Sequence, residues 1–240
     1  MLHVKVKITP LHATAVENLK VAGVNNFLHS IFASADVFFN QKLVSASNNL
    51  YPYRAYIETL LNYNDDAKKS HLTASLWYSD DAGRFEAAPQ ERENDVLNSG
   101  VVQQQSFTIN SRQVDMMGHL HCDVFNQDKM LINGVEMRVR LVRSKDAFCL
   151  MDRSIDGNFK VQIDEASLVV RRAKISPSVL LAHANALTRD TVKMPLTRVE
   201  IKSFSLPGGI LGQTIDNVIL GHLPQRVIIG LVDNRGFNGD

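Results

Sequence analysis

The densest group of chemistry-bearing side chains in the sequence is His119-Leu120-His121-Cys122-Asp123. On a strand, residues i, i+2 and i+4 share a face, so His119, His121 and Asp123 would project together and Leu120, Cys122 and Val124 would project oppositely. Two imidazoles and a carboxylate at that spacing suit a zinc or iron ion completed by a distant fourth ligand. The alternative is the polar face of a half-buried strand. A cupin-like metal enzyme would need ligands converging from several strands, and the remaining histidines (His3, His12, His29, His71, His183 and His222) show no matching spacing. No catalytic residue, cofactor or metal is therefore assigned. His119, His121 and Asp123 remain the candidate ligands.

Other residues offer less. Cys149, in DAFCLMD, could be a nucleophile beside a distant histidine, but its apolar neighbours suit a buried free thiol. His183 falls on the apolar side of a helical pattern, where a packed, hydrogen-bonded ring competes with catalysis. Gly208-Gly209 with Gly212 lacks both the P-loop lysine and the strand–glycine–helix order of a nucleotide site. Arg138, Arg140, Arg143 and Lys145, with Arg171, Arg172 and Lys174, could form a basic stripe for nucleic acid or an acidic partner. Glu136, Asp146 and Asp164 could equally balance them on a solvated sheet face. Tyr51, Tyr53 and Tyr56 read as helix core and turn packing.

The elements that would carry these residues are mostly strands. Leu2, Val4, Val6 and Ile8 alternate with His3, Lys5 and Lys7, the period-2 pattern of a half-buried strand. A second β region runs from Phe27 to Val44. Tyr53, Tyr56, Ile57, Leu60 and Leu61 then fall on one helical face, with Pro52 suited to the first turn. A second helix is predicted from Asp65 to about Trp77, capped by Asn64. Residues 79–100 read as a long polar loop. Strands are predicted near 101–109, 114–125, 129–132, 135–143 and 146–151. Asn133-Gly134 suits a type I′ hairpin because both central residues need φ > 0. FKVQID and ASLVVRRAKI read as two strands parted at Asp164-Glu165. A helix starts at Ser176-Pro177. LTRVEIKSFSL reads as a strand, followed by a further short helix, and QRVIIGLV as the last strand. Strands with helices inserted in their loops indicate a mainly β, antiparallel sandwich, not a parallel α/β sheet.

The chain has 240 residues with 45% hydrophobic and 21% charged residues, enough apolar content for a packed core and against wholesale disorder. A formal net charge of +1 excludes a globally basic nucleic-acid binder. Two cysteines are too few for a disulfide framework, and a reducing compartment is the default. No apolar run approaches the roughly 20 residues of a membrane helix, and MLHVKVKITP lacks the apolar core of a signal peptide.

Four long strings are more specific. VNNFLHSIFASADVFFNQKLVSASNNLYPYRAYIETLLNY, LVRSKDAFCLM, SLVVRRAKISPSVLLAHANAL and VIIGLVDNRGFNGD resemble, in the same order, the major capsid (hexon-like) protein of Polinton/Maverick elements and adintoviruses. The resemblance covers nearly the whole chain. It implies a double jelly roll, two eight-stranded sandwiches per subunit, with three subunits forming a pseudo-hexagonal capsomer. It implies self-association into a capsid lattice with minor capsid and penton proteins. It implies no catalysis, cofactor, membrane, specific nucleic acid or small-molecule substrate. Localisation follows as the virion when the element is active, otherwise the host cytoplasm or nucleus. Against that pattern, residues 1–175 correspond to a first jelly roll lacking its first strand or strands. Residues 176–224 correspond to the inter-roll helix and connection, and 225–240 to the opening strand of a second roll. A host-used, non-enzymatic binding module on the same sandwich is the alternative.

Overall fold

The computed structural model describes residues 1–11, 21–87, 89, 97–152, 159–210 and 212–239. His12 and most of the second half of the 79–100 loop lie outside them. Strand β1 (Leu2–Pro10) forms where the period-2 pattern predicts it, with Leu2, Val4, Val6 and Ile8 at most 2% exposed. It is a central strand, paired antiparallel to β5 (Val114–Gly118) on one side and β8 (Phe159–Leu168) on the other. Its other face carries cross-strand charge pairs: His3 with Asp115, Lys5 with Glu165 at 2.7 Å and Lys7 with Asp164 at 3.6 Å.

The division expected at Asp164-Glu165 does not end the strand. Lys5 opposes Glu165 and Val6 opposes Ile163, which leaves Asp164 as one extra residue. A bulge absorbs such a residue without breaking the ladder. The Asp164 carboxylate accepts from Gln113 and Gln162 at 2.8 and 2.9 Å.

A second antiparallel sheet has the order β4 (Lys42–Ser45), β3 (Phe32–Phe39), β6 (Met137–Arg143). Its tight turn is Asn40-Gln41, with φ of 46° and 68°, the two positive values a type I′ hairpin requires. Asn133-Gly134 does form a turn, with Gly134 at φ +88°, but 129–132 is not a strand and β6 pairs with β3. The loop is tied down differently: Asn40 N donates to Glu136 O, and Glu136 N donates to Asn40 Oδ1, both at 3.0 Å. A third, two-stranded sheet joins β2 (Val21–Gly23) to β7 (Leu150–Asp152).

Short helices sit between the strands: α1 (Phe27–Ser30), α2 (Tyr51–Asn62), α3 (Asp65–Lys69), α4 (Ser99–Thr108) and α5 (Asp146–Cys149). The second β region therefore opens with a helical turn. Asn64 caps α3 through a bond from Ala67 N at 3.0 Å, and a 3-10 turn continues it over His71–Ser75. The strand expected at 101–109 is helix α4. Its buried residues Gly100, Val101, Gln104 and Thr108 follow the helical period, Asn98 Oδ1 accepts from Gly100 N, and Asp81 accepts from Ser99 N and Oγ. The strand expected at 146–151 is α5 running into β7. The one expected at 114–125 stops at Gly118, where an added Cβ would lie 2.6 Å from Leu28 Cδ2. Phe27, Leu28, Ile31, Tyr51, Met116 and the inner residues of β1 share one core.

Beyond β8 the chain behaves differently. Helix α6 (Pro177–Leu187) begins at the predicted Ser176-Pro177, yet all its residues, including Val179, Leu180, His183 and Leu187, are exposed. Neither LTRVEIKSFSL nor QRVIIGLV forms a strand, since neither lies against a ladder it can hydrogen-bond. No helix forms between them among the described residues; Gly208-Gly209 makes an exposed turn with Gly209 at φ +80°. Contacts with the body are local. Leu196 packs on the core, Arg198 Nη2 donates to Val44 O at 3.3 Å, and Phe237 of α7 (Asn234–Asn238) stacks on Tyr53 at 5.5 Å. The architecture is three antiparallel sheets with short helices between them.

Candidate functional site

Helix α2 buries a different face from the one its apolar spacing predicts. Tyr51, Pro52, Arg54, Ala55 and Thr59 point inward, whereas Leu60 and Leu61 are about half exposed. The inward face is polar because it meets the 119–125 segment. Past β5 that segment leaves the sheet, buries Leu120 and Cys122 in the core, and turns into a 3-10 helix at Asp123–Phe125.

Arg54 joins the two. Its Nε donates to Glu58 Oε1 at 2.8 Å and its Nη2 to Asp123 Oδ1 at 2.6 Å. His121 Nδ1 lies 2.7 Å from Glu58 Oε2. The His121 ring meets that of His29 edge-on, 4.8 Å between centroids, and His29 Nδ1 shares a 2.9 Å hydrogen bond with the Tyr51 hydroxyl. Asp123 Oδ1 also accepts from Val199 N at 3.2 Å, which ties the C-terminal segment to the cluster. Arg54, Asp123, His29 and Tyr51 are all buried.

Two of the three candidate ligands thus meet in one cluster, but as partners of Arg54 and Glu58. His119 is exposed at the edge of the cluster, near His121 and His29. Among the described residues no three His, Cys, Asp or Glu side chains converge as metal ligands. Histidine and tyrosine could in principle exchange protons here. Burial, with His121 and His119 nearby, instead holds the His29 pKa well below the usual imidazole range, and burial pushes Tyr51 well up. Burial alone would raise Glu58, but the hydrogen bond from His121 and the Arg54 charge bring it below the ordinary carboxylate value. Burial opposes the Arg54 charge too, and Glu58 and Asp123 more than offset it. The pattern is a neutral His–Tyr pair beside an ion triad, which suits a fixed polar joint between α2 and the 119–125 segment.

A groove of about 340 Å³ opens over Arg54 and Asp123, between Leu43–Asn48 and Arg198–Lys202. Elsewhere, Cys149 is buried, its Sγ donates to Lys145 O and Asp146 O, and burial pushes its thiol up to about 12, far from the thiolate a nucleophile needs. The basic residues divide. Arg138 and Arg140 lie 4.4 and 5.7 Å from the Phe38 ring, Arg140 pairs with Asp36 and Arg143 with Asp146. Arg171, Arg172 and Lys174 follow β8 on exposed, irregular backbone. Tyr53 and Tyr56 pack on Phe237 and Trp77. Spacing alone could not expose Arg54, Glu58, His29 or Tyr51 as members of the cluster around His121 and Asp123. The one available signal was a charged i, i+4 pair, Arg54 and Glu58, on a helix otherwise rich in tyrosine and leucine.

The depressed His29 pKa fixes a sign. Below about pH 6.5 the unfolded chain binds a proton that the native His29 refuses, so stability falls with acidification by up to about 1.4 kcal/mol per pH unit. Glu58, also depressed, adds a loss below its ordinary value of about 4.3. The urea midpoint of the protein is expected to drop between pH 7 and pH 5, and His29→Gln to flatten that drop. An unchanged pH slope in His29→Gln would assign the acid sensitivity elsewhere.

No family model matches the chain, and no solved structure matches it. It is 22% identical over 228 residues to an uncharacterized protein of Caenorhabditis elegans, an alignment covering 93% of this chain and 50% of that protein. The chain spans about half the length of this curated relative. Among the described residues, no helix is long and apolar enough to cross a membrane.

Proposed function

We propose that the chain is a segment of a structural protein, a double jelly-roll major capsid subunit of the Polinton/Maverick type that assembles into trimeric pseudo-hexagonal capsomers. The observation that carries this reading is the apolar surface of residues 169–237. Leu223, Ile229 and Leu231 are 89%, 87% and 87% exposed, and most other large apolar side chains there are about half exposed. Large apolar side chains left exposed in this number along one segment are what a surface covered on assembly presents. The four ordered strings supply the family, and the antiparallel sheets with inserted helices are compatible with an incomplete jelly roll. The polar cluster on Arg54 then serves as structure, and the role is non-catalytic, without cofactor. The Arg138–Phe38–Arg140 stack is what favours the second reading, a non-enzymatic binding module.

The test expresses the polypeptide extended along its reading frame on both sides. Sedimentation and negative-stain electron microscopy are expected to show trimers with a pseudo-hexagonal outline. A monodisperse, cooperatively melting monomer from the 240 residues alone would count against the capsid reading. Salt-dependent binding of that monomer to a polyanion would favour the binding module.

A further inference from the structure

The sequence contains two Asn-Gly steps, Asn133-Gly134 and Asn238-Gly239, and the fold treats them oppositely. We propose that Asn133 is a site of spontaneous deamidation and isoaspartate formation, and that Asn238 is protected from the same reaction. The chemistry is intramolecular. The Gly backbone nitrogen loses its proton to water and attacks the Asn side-chain carbonyl carbon. The N–Cγ bond forms, and the side-chain nitrogen leaves as ammonia. Water then opens the resulting succinimide at either carbonyl, giving aspartate or an isoaspartate whose backbone runs through Cβ and Cγ. No oxidant or enzyme takes part.

The reaction needs a free Gly N–H, a small i+1 residue and a backbone able to bring the side chain over that nitrogen. Asn133 and Gly134 are exposed in a turn, and nothing lies within 4 Å of the place a Gly134 Cβ would occupy. Neither residue makes a hydrogen bond to another described residue. Gly239 N instead donates to Arg235 O at 2.9 Å as the cap of α7, and the space over it is filled by the Ala147-Phe148 backbone, 2.6–2.8 Å from a virtual Cβ. Asn238 is the last residue of that helix, so attack there requires α7 to unwind and lift off α5.

The modification has a local consequence. A new carboxylate takes the formal net charge from +1 to zero. It lies three residues before Glu136, whose N and O hold Asn40 at the β3–β4 turn. The isoaspartyl form lengthens the backbone just ahead of that link and of β6.

The test incubates the purified 240-residue chain at neutral pH and maps its peptides by mass spectrometry. Isoaspartate is identified by methylation with an isoaspartyl O-methyltransferase and S-adenosylmethionine. Asn133 is expected to deamidate at least about tenfold faster than Asn238, the ratio that 1.4 kcal/mol of protection produces. In denaturant the two rates are expected to converge. Asn133→Gln is expected to remove the fast-forming acidic species, and Gly134→Ala to slow it. Equal native rates at the two sites, a faster reaction at Asn238, or an unmodified Asn133 would each overturn the proposal.

Discussion

Arg54→Met lowers the stability of the protein by about 3–5 kcal/mol, the usual cost of leaving buried charges without their partner. Methionine keeps much of the length and apolar stem of arginine, so the loss isolates the guanidinium. Glu58 and Asp123 then face each other across a buried site with one cation fewer. For a chain of this size that corresponds to a midpoint roughly 6–20 °C lower in a thermal melt followed by circular dichroism. The triple variant Arg54→Met, Glu58→Gln, Asp123→Asn is expected to recover part of the loss, because replacing a whole buried ion network is often nearly neutral. Arg54→Lys holds one carboxylate at a time and falls between. A loss under about 1 kcal/mol would place the triad with exposed pairs and remove its role as the joint between α2 and the 119–125 segment. The variant also weakens the hold of Asp123 on Val199, so protection of that amide from hydrogen exchange falls with it.

That joint shows where sequence reasoning reaches and where it stops. Strand β1 was legible because a strand with one buried face repeats every two residues, and Leu2 to Ile8 satisfy this without interference. The Asn64 cap and the Ser176-Pro177 start were legible because they depend on a few adjacent residues. The inward face of α2 was not. Apolar spacing points to Tyr53, Ile57, Leu60 and Leu61, but burial is decided by what the helix meets, and it meets His121 and Asp123 from 63 and 69 residues away. Helix α4 failed for a related reason. Val101 and Val102 suggest a strand, but the residue that fixes the core face is Gln104, whose amide reaches Asn25 Oδ1 and Leu76 O. The type I′ turn lay at Asn40-Gln41, where no glycine announces it, and not at Asn133-Gly134. Of the candidate site, the shared neighbourhood of His121 and Asp123 was visible in the spacing, and the Glu58–Arg54 pair that links them was not.

Phe27→Ala costs about 3–5 kcal/mol, whereas Leu231→Ala changes the stability of this chain by no more than about 0.5 kcal/mol. Phe27 is fully buried, and its ring fills the space over Gly23, 2.6 Å from where a Cβ would stand, so truncation leaves a cavity beside a residue with no side chain to fill it. Leu231 is 87% exposed and gives up almost no buried area. The comparison also bears on the capsid reading. If the 225–232 segment is covered on assembly, Leu231→Ala should be silent in urea denaturation of the 240-residue chain. In the extended, trimeric polypeptide it should become costly, by about 2–5 kcal/mol. Phe27→Ala should cost the same in both. A Leu231→Ala loss in the 240-residue chain as large as that of Phe27→Ala would mean that this segment is already packed there. The apolar surface on which the capsid reading rests would then not exist. A silent Leu231→Ala in the extended polypeptide as well would leave the segment uncovered on assembly and remove it from the subunit contacts.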